Sequence, residues 1–403
     1  MQPANRTAPA AAGAAKEPLL SRNFVLACLI TLASFSSFYF LLTTLPFYVI
    51  GEAGGSKDQV GLIIGVFSVT TVLLRPFIGR AADDWGRRVF IVAGSAIMAL
   101  AGGLYTLTRT VPLLLSLRVF HGVGWASFGT ATNALVADVV PRSRRGEAMG
   151  YYGMFSNLAM AIGPALGIAM MRGAGFTALF VASAALGVVA LLLSLGLSDP
   201  ARGGRAPRPA PVGGGLLERT ALFPGLVLAL TSVTYGSIVS FLPLFAVETK
   251  ITDNPGIFFT VYAVVLIVAR GFTGQISDRF GRPAVIAPGL LLAALALGLL
   301  ATTNSLWSLL AVAVLYGLGF AAVQPAIMAM VVDRAAPQRR GAAMGTFSAA
   351  MDLGIGLGSV IWGFVAQAAG YHAMYVASGG VALLALVVFL AGLRGGLGAR
   401  LAS

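Results

Sequence analysis

From Phe24 to Ile50 the chain carries no charged side chain, and from Pro283 to Val332 it again carries none. Further apolar runs lie at about 59–79, 89–108, 111–137, 148–171, 173–198, 220–247, 255–277, 342–368 and 373–393, split by short charged or Gly/Pro turns. Each is close to or above the ~20 residues that cross a bilayer core. The 283–332 stretch is too long for one helix and is expected to break near Thr302-Thr303-Asn304-Ser305, which makes twelve spans. Only 10% of the residues are charged, against about a quarter in an ordinary globular chain, so the chain reads as an integral membrane protein. The first run is too long for the apolar core of a cleavable signal peptide. The sole cysteine, Cys28, allows no internal disulfide and reads as a small hydrophobe.

A charged turn divides spans two and three: Gly79-Arg80-Ala81-Ala82-Asp83-Asp84-Trp85-Gly86-Arg87-Arg88. It returns 195 positions later as Gly274-Gln275-Ile276-Ser277-Asp278-Arg279-Phe280-Gly281-Arg282-Pro283. The same offset pairs Arg75 with Arg270, Gly122 with Gly317, Gly124 with Gly319 and Asp138 with Asp333. The chain is therefore a duplication. The expected fold class is an all-α membrane protein of twelve transmembrane helices in two pseudo-symmetric six-helix halves. A disordered tail at 1–21 precedes the first half at 22–198. A polar linker at 199–219, rich in Gly, Pro and Arg, leads to the second half at 220–394 and a tail at 395–403.

Charge placement gives the orientation. With both termini and the linker in the cytoplasm, the inner segments hold twenty Lys and Arg and the outer turns four: Lys57, Arg109, Arg172 and Lys250. The net charge of +13 then reflects arginines facing anionic headgroups, not nucleic acid.

The turn Gly-x-x-x-Asp-x-x-Gly-Arg-Arg and its echo resemble the signature of the major facilitator superfamily of secondary transporters, a resemblance that covers all twelve spans. Ala81 and Asp84 depart from the family pattern. The resemblance implies a conformational latch built from Gly79, Asp83, Gly86, Arg87 and Asp138, echoed by Gly274, Asp278, Gly281 and Arg282. Gly79 would let a neighbouring helix approach, Asp83 would sit at a helix N-terminus of the other half, and Arg87 would pair with Asp138. The alternative is that the arginines serve topology alone, the reading preferred for Arg88.

In span four, Arg118-x-x-His121-Gly122-x-Gly124 resembles the fourth-span signature of proton-coupled antiporters of this superfamily. Arg118 lies roughly 10 Å below the outer surface, at 1.5 Å per residue, and shares a helix face with His121. Arg118 either serves coupling or snorkels; His121 either carries a proton or packs. In span five, Gly163-Pro164-Ala165-Leu166-Gly167 resembles the Gly-Pro element of antiporters, which favours export over uptake. Asp352, in span eleven, is the remaining intramembrane acid. It is either the group protonated during the cycle, with Arg118 or His121 adjusting its proton affinity, or a carboxyl hydrogen-bonded between helices.

The resemblance places a substrate cavity on the faces of spans one, four, seven and ten, where Tyr39, Asn133, Tyr235, Tyr316 and Gln324 are candidates. With Arg118 and without an acid in spans one to four, such a cavity suits anionic, zwitterionic or neutral amphipathic molecules better than lipophilic cations. The stretches Gly256–Arg270 and Asp352–Gly358 are similar to exporters of opine-type metallophores. The expected function is export by proton antiport across the inner membrane, by a monomer without metal or cofactor. A proton-coupled importer of sugars or organic anions and a transport-inactive sensor or assembly protein are the alternatives. No Ser-His-Asp set, metal-spaced cluster or phosphate-cradling Gly-Lys motif points to an enzyme.

Overall fold

The computed structural model describes residues 20–141, 144–198, 218–336 and 339–394. The expected tails and linker, apart from residues 20–21 and 218–219, lie outside the described residues, as does Arg142. Ten long apolar helices make up the structure: α1 (Arg22–Gly51), α2 (Lys57–Trp85), α3 (Arg87–Leu104), α4 (Val111–Val139), α5 (Arg145–Leu195), α6 (Leu222–Glu248), α7 (Gly256–Phe280), α8 (Pro283–Ala301), α9 (Leu306–Arg334) and α10 (Arg340–Arg394).

Two of the ten are double. At 51 and 55 residues, α5 and α10 would extend roughly 75–80 Å if straight, far beyond a bilayer core of ~30 Å. Each is broken at one glycine, Gly175 (φ 80°, ψ 176°) and Gly370 (φ 80°, ψ 174°), in backbone conformations that essentially only glycine adopts. Counting both arms, the described residues form twelve helical segments long enough to cross a bilayer, six per half. The turn expected around Arg172 thus falls at Gly175, and the one expected between 368 and 373 falls at Gly370, 195 residues on.

Local sequence sets several helix ends. The Ser21 hydroxyl accepts from the Phe24 N–H at 3.2 Å, and that of Ser305 accepts from the Ser308 N–H at 3.3 Å, capping α1 and α9. Gly86 and Gly281 take φ values of 98° and 86° and join α2 to α3 and α7 to α8 with almost no connecting chain.

Packing repeats between the halves. In the first, α1 lies along α5, α3 against α4 and α5, and α2 against α4; in the second, α6 lies along α10, α8 against α9 and α10, and α7 against α9. Equivalent residues make equivalent close crossings: a Cβ on Gly94 would lie 2.7 Å from the Gly124 carbonyl oxygen, and one on Gly289 3.0 Å from that of Gly319. Leu73, Phe77, Leu192 and Phe272 point outward, largely exposed, as a lipid-facing surface requires.

Candidate functional site

The halves meet along α2 against α10 and along α5 against α7, with α1 against α6 between them. The seam of α2 and α10 runs antiparallel. At one end Lys57 pairs with Glu248 at 2.9 Å, and the Lys57 N–H donates to Gln367 Oε1 at 3.2 Å. Farther along, Gly61 lies against the backbone of Ser359 and Val360, and Gly356 lies against Ser68. The seam reaches Arg75, whose Nη2 lies 2.6 Å from Asp352 Oδ2, with side chains 22% and 18% exposed. Ten residues from the end of α2, or ~15 Å, this ion pair sits at membrane depth, where neither charge is tolerated alone.

Past that pair the close approaches stop. A Cβ on Gly79 would meet Thr130 Cγ2 of its own half at 3.8 Å, and one on Gly274 would meet nothing within 4 Å. Gly79, expected as a point of close helix approach, is therefore not one here; the close approaches lie at the opposite end of α2, where the seam is shut.

Arg270 on α7 is the repeat partner of Arg75 but keeps different company. Its Nη2 donates to Gln324 Oε1 at 3.0 Å, and Gln324 Nε2 lies 3.4 Å from Met351 Sδ. Among the described residues no carboxylate lies within 4.0 Å of Arg270, and its buried Nε finds no acceptor. The hydroxyls of Tyr39 and Tyr262 are within electrostatic reach of it, and Tyr39 is also within reach of Asp352 and Tyr235. Tyr235 stacks on Phe320 at 5.0 Å and on Tyr262 at 6.4 Å between centroids. Of the expected cavity residues, Tyr39, Tyr235 and Gln324 thus gather here. Tyr316 packs on the same rings, 6.2 Å from Tyr262 and 6.3 Å from Phe320 between centroids, with its hydroxyl 3.0 Å from Thr234 Oγ1, while Asn133 stays exposed on α4 outside these contacts.

Arg118 and His121 share a helix face, as their spacing requires, but that face meets α2. Arg118 is fully buried; its Nε donates to the Ile63 carbonyl at 3.1 Å and its guanidinium lies 4.3 Å over the Phe67 ring. His121 meets the same ring edge-on at 5.4 Å, with Nδ1 3.3 Å from the Tyr105 hydroxyl. Ile63 lies twelve residues from Arg75, ~18 Å along α2. The expectation that Arg118 or His121 adjusts Asp352 by proximity is corrected: the neighbour of Asp352 is Arg75. Depth along a helix says nothing of rotation about it, and α4 is apolar on almost every face.

Gly163 and Gly167 bring α5 onto α1. A Cβ on Gly163 would lie 2.7 Å from Tyr39 Cβ, and one on Gly167 3.0 Å from Phe40 Cα, so the Gly-Pro element, with Pro164 inside the helix, holds the helix that carries Tyr39. The two charged turns are clamped alike. Arg87 pairs with Asp83 and, at 3.5 Å, with Asp138; Arg282 pairs with Asp278 at 2.6 Å and Asp333 at 3.3 Å. Each clamp ties a turn to the fourth helix of its own half. Arg75 and Arg270 are the site residues that the sequence reading did not single out; an arginine recurring at the 195-residue offset inside two apolar spans is the signal that identifies them.

A family model described as Major Facilitator Superfamily matches residues 27–255 and 226–397. The MFS-type transporter YhhS of Escherichia coli K12 is 29% identical over 377 residues, covering 92% of each chain, and YhhS of Salmonella paratyphi C is 30% identical over 379, again 92% of each. Among solved structures, a POT family transporter in complex with a thioalcohol-conjugated peptide superimposes with a TM-score of 0.79 at 14% identity, covering 93% of this chain and 96% of that one. A bacterial homologue of the human lysosomal transporter Spinster, inward-facing and unoccupied, gives 0.76 at 18% identity, covering 96% and 98%. At these identities the structural likeness is one of fold.

Proposed function

This chain belongs to the major facilitator superfamily, as a multi-pass membrane transporter and not an enzyme, and we propose that it exports a small zwitterionic, anionic or amphipathic molecule in exchange for protons. The observation that carries the reading is the ion pair of Arg75 and Asp352, which joins the halves at membrane depth. Protonating Asp352 abolishes its attraction for Arg75 and releases the seam of α2 and α10; deprotonation restores it. Asp352 is then the proton-carrying group, Arg75 its partner, and Arg118 and His121 support the first half. Exchange requires that substrate and proton compete for Asp352, which a zwitterion does through its cationic group. A multi-carboxylate amine such as an opine-type metallophore has the necessary chemistry. The proposed setting is the inner membrane, with both termini cytoplasmic and a monomer as the working unit.

One observation favours a second reading, uptake of organic anions by proton symport. Arg75, Arg270 and Asp352 sum to one positive charge, and protonating Asp352 makes two, so a purely anionic substrate and a proton would bind together. Substrate affinity in the purified protein separates the two: it rises with pH for antiport and falls for symport. The substrate is found by profiling metabolites in cells and medium of a deletion strain, the complemented strain and one carrying Asp352→Asn. A compound retained inside the deletion strain and the variant alike supports export. Removal of a compound from the medium only when the protein is present supports uptake, and no difference in any compound favours the sensor or assembly role.

A further inference from the structure

The two inter-half seams are built in the same register. On the first, a Cβ on Gly61 would lie 3.1 Å from Val360 Cα; on the second, a Cβ on Gly256 would lie 3.4 Å from Ala165 Cα. Gly61 and Gly256 are 195 residues apart, and so are Ala165 and Val360. The offset also relates Arg75 to Arg270, and Asp352 to Asn157 on α5. By that offset Asn157 corresponds on the second seam to Asp352 on the first. One arginine has its carboxylate built in; for its twin the corresponding residue is a neutral amide.

That difference leaves unsatisfied donors. The Nε of Arg270 and the hydroxyl of Tyr262, about two turns apart on α7, are buried without hydrogen-bond partners. An arginine in an apolar span is costly without a counter-charge. The Gln324 side chain, an amide, supplies a single neutral acceptor.

We infer that Arg270, with Tyr262, is the site that takes an oxyanion of the substrate, a carboxylate or phosphonate, in the role that Asp352 fills at Arg75. The stacked Tyr235, Tyr262 and Phe320 give the rest of such a ligand an aromatic wall. The inference rests on the transport reading but not on direction or coupling.

The test is the thermal stability of the detergent-purified full chain, titrated with benzoate, phenylphosphonate and neutral benzamide at fixed pH. Benzoate or phenylphosphonate is expected to raise Tm saturably, the stronger of the two naming the oxyanion, and benzamide to leave it unchanged. Arg270→Gln is expected to weaken that response at least tenfold. Asn157→Asp is the decisive variant: it hands Arg270 an internal carboxylate, so it is expected to raise the ligand-free Tm and abolish the response together, which misfolding cannot mimic. No response to either anion in the parent protein, or a response unaltered in both variants, or an Asn157→Asp protein without raised Tm, overturns the assignment. No gradient is involved, so intact anion binding without proton-driven flux in liposomes would defeat only the export reading.

Discussion

Asp352→Asn removes one charge from the pair that closes the seam of α2 and α10 and leaves Arg75 without its counter-ion. Breaking a fully buried pair from one side costs ~3–5 kcal/mol. With both side chains about one-fifth exposed, screening reduces this to roughly 2 kcal/mol. The pair spans the halves, so that loss falls on the balance between the sealed arrangement and one open at the Lys57–Glu248 end. At 1.4 kcal/mol per factor of ten, ~2 kcal/mol raises the open population about 30-fold. Ser68 reports it: its side chain is buried in the seam, against Gly356 of α10. A Ser68→Cys reporter in a Cys28→Ser background is reacted with a membrane-impermeant maleimide, and the rate is compared with and without Asp352→Asn. A roughly 30-fold faster reaction is expected. Arg75→Gln combined with Asp352→Asn leaves no orphaned charge, so the double variant is expected to react more slowly than independent addition of the two single effects gives. A rate within twofold of the reporter alone, or strict additivity, refutes the pair as the fastening of the seam.

Other consequences can be measured separately. Gly370→Ala forces a side chain into a φ of 80° and is expected to cost ~1–3 kcal/mol and lower Tm, whereas Gly298→Ala, in open space within α8, is expected to be neutral or slightly stabilising. Arg118→Met replaces a fully buried guanidinium with two unpartnered nitrogens, and Tm is expected to hold or rise by the equivalent of ~1 kcal/mol or more while transport persists; lost transport with raised Tm would return Arg118 to the coupling machinery. The hydrogen bond from Arg339 holds the Glu218 carboxyl below its usual range, against the opposing effect of burial. Its contribution is therefore present above the ordinary carboxylate pKa and fades as pH falls through the lowered one. Glu218→Gln is expected to lose about 1 kcal/mol near neutral pH and to show a flatter acid limb in Tm against pH.

Much of the fold was legible in the chain because membrane helices advertise themselves by length and charge, and a duplication carries every boundary across twice. The break near Thr302–Ser305 and the charged turns are written in polar residues; the reversal at Gly175 is not, since Arg172 is the nearer charge and the bend needs only one glycine with positive φ. The site was less legible. Spans alone single out Tyr39, Tyr235 and Gln324, but for Arg118 the span-four motif gives depth and leaves open which neighbouring helix its face meets. Asp352 was recognised as a lone acid, while its partner lies 277 residues earlier in a different half, a distance no local pattern bridges.

Gene duplication hands a protein two copies of every fastening, and here one copy carries an acid where the other carries an amide. A dimer of identical halves would part evenly, both edges yielding at the same load. With Asp352 on one edge and Asn157 at the corresponding position on the other, and with Lys57 paired to Glu248 at the end of the first edge, the edges differ in their ion pairs. On that asymmetry the edge of α5 against α7 is expected to part first, with the edge of α2 against α10 as the pivot until Asp352 is neutralised. Departure from symmetry would thereby turn an even separation into an ordered, two-stage one, with a preferred side for the cargo to leave.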